Sequence, residues 1–541
     1  VHARDRERHF CDDRWSGFVF SSRVDGSSIM RRWELAVPLD PARARPLFLQ
    51  LAGAIADDIR SGRLKPGEPL PGTRELAEAL DLNRNTIVAG YAELAAEGLV
   101  RTRVGGGTFV AEPAPQPPRA PHVASNEPTY ALAPPVHARP APRALPPGVL
   151  MLSNGAPDAR LFPARPLARA FRRAIEHRGR TLATSSDPCG HERLRAELAS
   201  MLARTRGLVA TPDNLMVTRS IEQGIDLVAR TLIRPGDVVA VEAFGYPPAW
   251  SVLRLAGATL EPIPLDRDGL DIGALEALVA RQPIRAVFTT PHHQFPTTSV
   301  MSPRRRERLA SLALAHGFAI VEDDYDHEFH YAGKPVLPIA AGAGRANVVY
   351  VGSLANLLAP GVSSGFVVAP PPVFERLASL RAACDARGDA AVECAVAELF
   401  QDGELLRHMR RVRRCYEMRR DALANALRRR LGGALEFRIP EGGMALWARA
   451  DASIDVDAWA AAGERAGVRF ASGRIYDIEQ RERRCLRLGF SYHDEAELDE
   501  AVRRMARALA MLRETPASAA ATAPRVPSSA ARYAKSATNR C

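Results

Sequence analysis

Lysine is almost missing from this chain. Among 541 residues and 73 basic side chains, only Lys65, Lys334 and Lys535 are lysine, and the other 70 are arginine. Chemistry that needs a side-chain amine as nucleophile therefore has three places to go. Cysteine is also scarce: seven, scattered, with no C-x-x-C pair and no zinc-type spacing. That excludes a disulfide framework, leaves no expected metal set, and fits the reduced thiols of a cytoplasmic protein. Apolar runs of the roughly 20 residues that span a bilayer are absent, so no membrane partner is expected. The opening "VHARDRERHFCDDRWSGFVF" is charged where a secretory leader needs an apolar stretch.

What is present is length and positive charge. The chain is too long for one core, so two or more domains are expected. Its formal charge of +11 suits an acidic partner, but an arginine bias also follows from a GC-rich genome, so the partner has to be argued from a motif. Residues 1–29 carry no periodic pattern. They read as a disordered extension, either lying upstream of a start at Met30 or forming a basic arm.

Residues 40–112 have the pattern of a DNA reader. "PLFLQLAGAIADDIRSG" sets Leu47, Leu51, Ile55 and Ile59 at four-residue spacing before Gly62, which predicts an amphipathic helix. A short helix, "TRELAEAL", follows. Asn83 can then cap a third helix whose inner stripe is Ile87, Tyr91 and Leu94. Two short helices across a tight turn make a helix-turn-helix, and "LVRTRVGGGTFVAE" supplies two strands around a glycine turn, as in a wing. The whole stretch "GRLKPGEPLPGTRELAEALDLNRNTIVAGYAELAAEGLV", with "GGGTFV", resembles the GntR-type winged helix. That resemblance implies double-stranded DNA as partner and Arg74, Asn83, Arg84, Asn85, Thr86 and Gly106 as its contacts. Arg84 is expected to read a base edge, since its planar fork matches the two acceptors of guanine, whereas Arg74, Thr86 and the wing at Gly106 are expected to hold phosphates.

Residues 113–150, rich in proline and alanine, read as a linker, and 515–541, rich in alanine, serine and proline, as a disordered tail. Between them, over 151–514, apolar strand-like runs ("IRAVFTT", "GFAIVEDD", "NVVYVG") alternate with amphipathic helices. This predicts an α/β body with a mixed, mainly parallel sheet and ligands beyond the carboxyl ends of its strands. In order, "GAPDARLFP", "DPCGHERLR", "VEAFGYP", "TTPHHQFPTT", "VEDDYDHEFHY", "VGSLANLLAPGVSSGF" and "CLRLGFS" resemble the aminotransferase class I/II domain of fold type I, which ends in a small C-terminal α/β subdomain. Joined to a GntR-type reader, this is the architecture of the MocR family of bacterial regulators.

The resemblance implies pyridoxal phosphate as cofactor, and its parts can be checked residue by residue. Asp323 matches the acid opposite the pyridine nitrogen, Tyr325 the phenol that bonds the ring hydroxyl, Tyr246 the stacking aromatic and Arg487 the substrate carboxylate's partner. The lysine of the family pattern G-[ST]-x-S-K-x-L-A-P-G-x-R-x-G falls on Asn356, a carboxamide that is neither basic nor nucleophilic, so no catalytic residue is expected. Ser363 stands where the family has the arginine that neutralises the phosphate. Its Gly-Ser-Gln at a helix start reads Ser220, Ile221 and Glu222 here, and a tyrosine that reaches the phosphate across the dimer is Ser185.

These departures predict a dimeric, DNA-binding transcription regulator that has lost covalent cofactor chemistry. Its body would dimerise and sense a small amino acid or a B6-type vitamer held non-covalently. Two rivals stay open: a pyridoxal phosphate aminotransferase with an attached reader, and a body that serves as a dimerisation scaffold alone.

Overall fold

The computed structural model describes residues 39–40, 45–103, 106–112, 146–153, 155–184, 187–362, 364–386 and 388–514. The expected extension at 1–29, the tail at 515–541, most of the expected linker, Ser185 and Ser363 lie outside the described residues. The chain divides into two units, Val1–Ala133 and Pro134–Cys541.

In the first unit, helices α1 (Leu47–Arg60), α2 (Thr73–Ala79) and α3 (Arg84–Ala96) are followed by strands β1 (Val100–Arg103) and β2 (Gly107–Val110). The four-residue spacing acts as expected: Leu51 and Ile55 from α1 meet Ile87, Tyr91 and Leu94 from α3 in one buried cluster. Gly90 lets the two helices touch, because a Cβ there would stand 2.9 Å from a Leu51 methyl and 3.2 Å from the Phe48 carbonyl oxygen. The Tyr91 hydroxyl donates to the Pro71 carbonyl (2.9 Å), pinning α3 to the turn before α2. The strands pair antiparallel from Val100↔Val110 to Arg103↔Gly107, the hairpin of a wing.

The second unit is built on a seven-stranded sheet. Its strands in chain order are β3 (Leu215–Thr218), β4 (Val238–Glu242), β5 (Thr259–Ile263), β6 (Ala286–Thr289), β7 (Ala319–Asp324), β8 (Val348–Ser353) and β9 (Gly365–Val368). Their spatial order is β3-β9-β8-β7-β6-β4-β5. All pairs are parallel except the two made by β9. Strands buried on both faces read as continuous apolar runs, which is why "IRAVFTT" and "NVVYVG" show no alternation. A four-stranded antiparallel sheet, with Ala445–Ala450 and Cys485–Gly489 at its centre, packs with the helices Glu404–Leu431, Val456–Arg465 and Glu495–Glu514 around a separate core. This is the expected fold class: a winged helix-turn-helix, a fold-type-I body with a mixed, mainly parallel sheet, and a small C-terminal α/β part.

Candidate functional site

Two surfaces matter, one in each unit. In the first, Asn83 caps α3: its side-chain oxygen accepts from the Asn85 amide at 2.9 Å. This leaves Arg84 as the first helical residue, exposed, its Nε 3.3 Å from the Thr73 hydroxyl. Asn85 is exposed, Thr86 half-buried, and Arg74 exposed on the first turn of α2. A helix N-terminus that presents an arginine and two amides is the end a recognition helix inserts into a groove. On the hairpin, Arg101, Thr102 and Arg103 face solvent, Arg103 lies over the Phe109 ring at 5.1 Å, and the Gly106 amide closes the turn onto the Arg103 carbonyl (3.0 Å).

In the second unit, a cavity of about 340 Å³ opens at the carboxyl ends of β7 and β8. It gathers Tyr246, Asp323, Tyr325, Asn356 and Arg487 with Ser220, Ile221 and Glu222, so residues spread over 268 positions of sequence share one space. Asp323, next to last in the buried run of β7, has a carboxylate oxygen without a hydrogen-bond partner. Burial, then the neighbouring carboxylates of Asp324, Glu222, Asp326 and Glu242, hold its pKa well above the usual range. Arg487, on the central strand Cys485–Gly489, is buried with Nε and Nη1 unpartnered, its guanidinium 4.6 Å over the Phe295 ring. An acid inclined to stay protonated and an arginine with free donors therefore face one pocket.

The remaining groups are engaged. The Asn356 carboxamide donates to the Tyr325 carbonyl at 3.0 Å. The Tyr325 hydroxyl donates to the His293 carbonyl at 3.0 Å, and burial raises its pKa well above the usual value. The helix α4 (Ile221–Leu232) begins at the pocket wall, capped by the Ser220 hydroxyl, which accepts from the Gln223 amide (3.3 Å). Ile221 turns into the core. Glu222, in the first turn, accepts from the Tyr246 hydroxyl at 2.6 Å, while Arg219, just before the cap, lies 3.6 Å from the Asp385 carboxylate. Tyr246 meets Phe295 edge to face, centroids 5.2 Å apart.

The comparisons with known proteins agree with both halves. The family described as bacterial regulatory proteins, gntR family, matches residues 47–110, and aminotransferase class I and II matches residues 147–505. Over 434 residues the chain is 32% identical to the probable rhizopine catabolism regulatory protein MocR of Rhizobium meliloti, covering 79% of this chain and 86% of that protein. This chain belongs to the MocR-type regulators of the GntR family. Like them it joins a helix-turn-helix to an aminotransferase-like domain, and the regulator PdxR of pyridoxine biosynthesis in Corynebacterium glutamicum is 30% identical over 395 residues, covering 73% of this chain and 82% of that one. Among solved structures, the α-aminoadipate aminotransferase LysN of Thermus thermophilus matches with a TM-score of 0.63 at 28% identity, over 68% of this chain and 93% of that one. DNA binding follows for this MocR-type regulator from its helix-turn-helix, and pyridoxal phosphate is the cofactor its aminotransferase family implies. No helix among the described residues is long and apolar enough to cross a membrane.

Sequence reading missed one group. His292, His293, His327 and His330 are all buried and lie together behind the pocket. The available signal was positional: "HH" just beyond β6, and two histidines three apart just beyond β7, on neighbouring parallel strands.

Proposed function

We propose that this MocR-type regulator acts as a homodimer whose body recognises a small zwitterionic or pyridine-type effector without forming a covalent bond to it. What carries the reading is the pair Asn356 and Glu222 in one cavity. At the position the family gives to lysine, the carboxamide is held by the Tyr325 carbonyl, and an amide nitrogen does not attack an aldehyde. At the start of α4, where a phosphate dianion would use the helix amides, the chain supplies its own anion in Glu222, and the Ser220 hydroxyl is occupied by the cap. A dianion a few ångströms from that carboxylate meets repulsion on the order of several kcal/mol even at surface-like dielectric. Arg219 stands close but beside Asp385. The residues present therefore do not fit pyridoxal phosphate as an enzyme holds it.

They do suit a neutral or zwitterionic ligand. Arg487 offers unpartnered donors for a carboxylate or ring hydroxyl, Asp323 an unpartnered oxygen for a ring nitrogen or ammonium, and Glu222 an acceptor for a hydroxymethyl or ammonium group. An amino acid and a dephosphorylated B6 vitamer both meet that pattern, and the likeness to a regulator of pyridoxine biosynthesis favours the vitamer. The reader's part is assigned as follows: Arg84 reads a base, with Asn83 and Asn85 shaping the helix start, and Arg74, Thr86 and the wing at Gly106 hold phosphates.

The test is a thermal-shift panel of amino acids, pyridoxine, pyridoxamine and pyridoxal phosphate, because a ligand that binds only the folded state must raise its melting temperature. A rise with a non-phosphorylated member, reversed by dialysis, is expected. A visible band with pyridoxal phosphate that borohydride fixes to the protein would overturn the reading and restore the aminotransferase alternative. No shift across the panel would leave the scaffold reading.

A further inference from the structure

Behind the proposed effector pocket, on the Asp324 side of β7, lie donors that effector binding does not use. Asp323 and Asp324 are adjacent on β7 and so point to opposite faces. On the Asp324 side lie four buried histidines from the loops after β6 and β7, each 1–7% exposed. His292 stacks on His327 (4.2 Å between centroids, 24°) and sits 4.3 Å from His293, while His293 and His330 lie nearly parallel at 5.9 Å. Both ring nitrogens of His292 and the Nε2 of His293 and His327 make no hydrogen bond among the described residues, while the His330 ring has a polar contact with the backbone at Ala332. Buried polar groups normally have partners, and several such failures in one place call for a missing one.

We propose that His292, His293 and His330 bind a divalent transition-metal ion of the zinc class. Their donor atoms lie within 4.8 Å of one another. A point can then be found within about 2.8 Å of all three, so closing to the ~2.1 Å of a zinc–imidazole bond takes side-chain shifts below about 1 Å. His293 already has the posture of a metal ligand: its Nδ1 is bonded to Asp326 at 2.7 Å, which leaves Nε2 as the free donor. Gly442 packs directly against that ring, and a side chain there would collide with it, since a Cβ would stand 2.0 Å from Nε2.

A second triad, His292, Asp324 and His327, shares one ring with the first. It is the poorer site, because the fully buried Arg206 guanidinium lies 3.5 Å from the Asp324 Oδ2 and would repel a dication, and that oxygen already accepts from Tyr350 and pairs with His327, so only Oδ1 is unpartnered. In the first triad His293 is bonded to Asp326, whose second oxygen is unpartnered. Three imidazoles backed by a carboxylate are a set that zinc, cobalt, nickel and copper all take.

The experiment uses the full untagged chain, stripped with a chelator and titrated with Co²⁺, whose visible bands report nitrogen coordination, then with Zn²⁺ to displace it. One equivalent of tightly held Co²⁺ per chain is expected. H292Q and H330Q should abolish its bands, H327Q should keep them, and D326N should weaken zinc roughly 10–100-fold, the effect of losing an outer-shell carboxylate. Bands that never form, that persist in H292Q and H330Q, or that vanish in H327Q would overturn the assignment. Should the ligand variants fail to fold, D326N decides, and unchanged zinc affinity in it refutes the site. Because the readout is the metal alone, its failure is separate from failure of the effector reading.

Discussion

At the scale of single residues, the body of this protein is defined by charges it keeps out of water. Asp323 is buried near four other carboxylates, and its raised pKa means that the folded state binds its proton more tightly than the unfolded chain does. Its contribution to stability is then fully present below the ordinary carboxylate value and is lost as pH rises through the folded value. D323N, neutral throughout, is expected to gain stability relative to the parent as pH rises from about 4, by roughly 1.4 kcal/mol for each pH unit of the original shift. Urea midpoints of both proteins across that range test it, and a gap that stays constant with pH would refute it. D323N should also lose the thermal shift from any vitamer that uses its ring nitrogen. On the opposite face, Arg206 is fully buried with Asp324, Glu328 and Tyr350 around it. Arg206→Met leaves two buried carboxylates without their cation, and a loss of about 3–5 kcal/mol in chemical denaturation is expected. The candidate roles of Asp323 and Arg487 were named from motif order alone, whereas the burial that dominates the state of Asp323, the approach of Glu222 to it and the Phe295 ring under Arg487 depend on long-range packing that no local pattern encodes.

At the scale of elements, α3 combines stability and recognition at one end. The Asn83 cap satisfies an amide that the helix itself leaves open. Asn83→Ala is expected to lower the reader's stability by about 1 kcal/mol, visible as a fall in the melting temperature of that unit with the body's transition unmoved. Arg84 stands one residue on, at the exposed helix start. Arg84→Ala should relax base preference at one operator position and cost about 1 to 3 kcal/mol there, whereas Arg74→Ala should weaken all sequences alike and lower the salt dependence by about one ion. Footprinting against a randomised operator separates the two, and an Arg84 variant with unaltered preference would refute the docking. The three helices and the hairpin were legible because each is a local pattern: a 3.6-residue stripe, a cap, a glycine turn. The Tyr91 bond to Pro71 and the Gly90 contact with Leu51 were not, since they depend on where α3 lies against α1 and α2.

At the scale of the whole molecule, one chain carries one reader, and a two-fold operator calls for two. If the proposed homodimer holds, a DNA with two half-sites should bind the full chain about 10²- to 10⁴-fold more tightly than one with a single half-site, because the second contact becomes intramolecular. Fluorescence anisotropy at fixed salt measures the ratio, and a ratio near the statistical factor would show readers that act singly. The sequence by itself determined the order of parts, the reader's helices and the parallel core, because propensity, periodicity and turn chemistry act over a few residues and repeat in recognisable order. It also put a carboxamide, Asn356, at the position that the family resemblance gives to lysine. Only the tertiary structure decided what meets around that position: Glu222 at the helix start bonded to Tyr246, Asn356 held by a carbonyl, and four imidazoles from two separate loops lying together. Parallel strands bring the ends of distant segments together through long crossovers, so the neighbours of a residue at a strand's carboxyl end are set by the sheet's strand order, which residue spacing along the chain does not record.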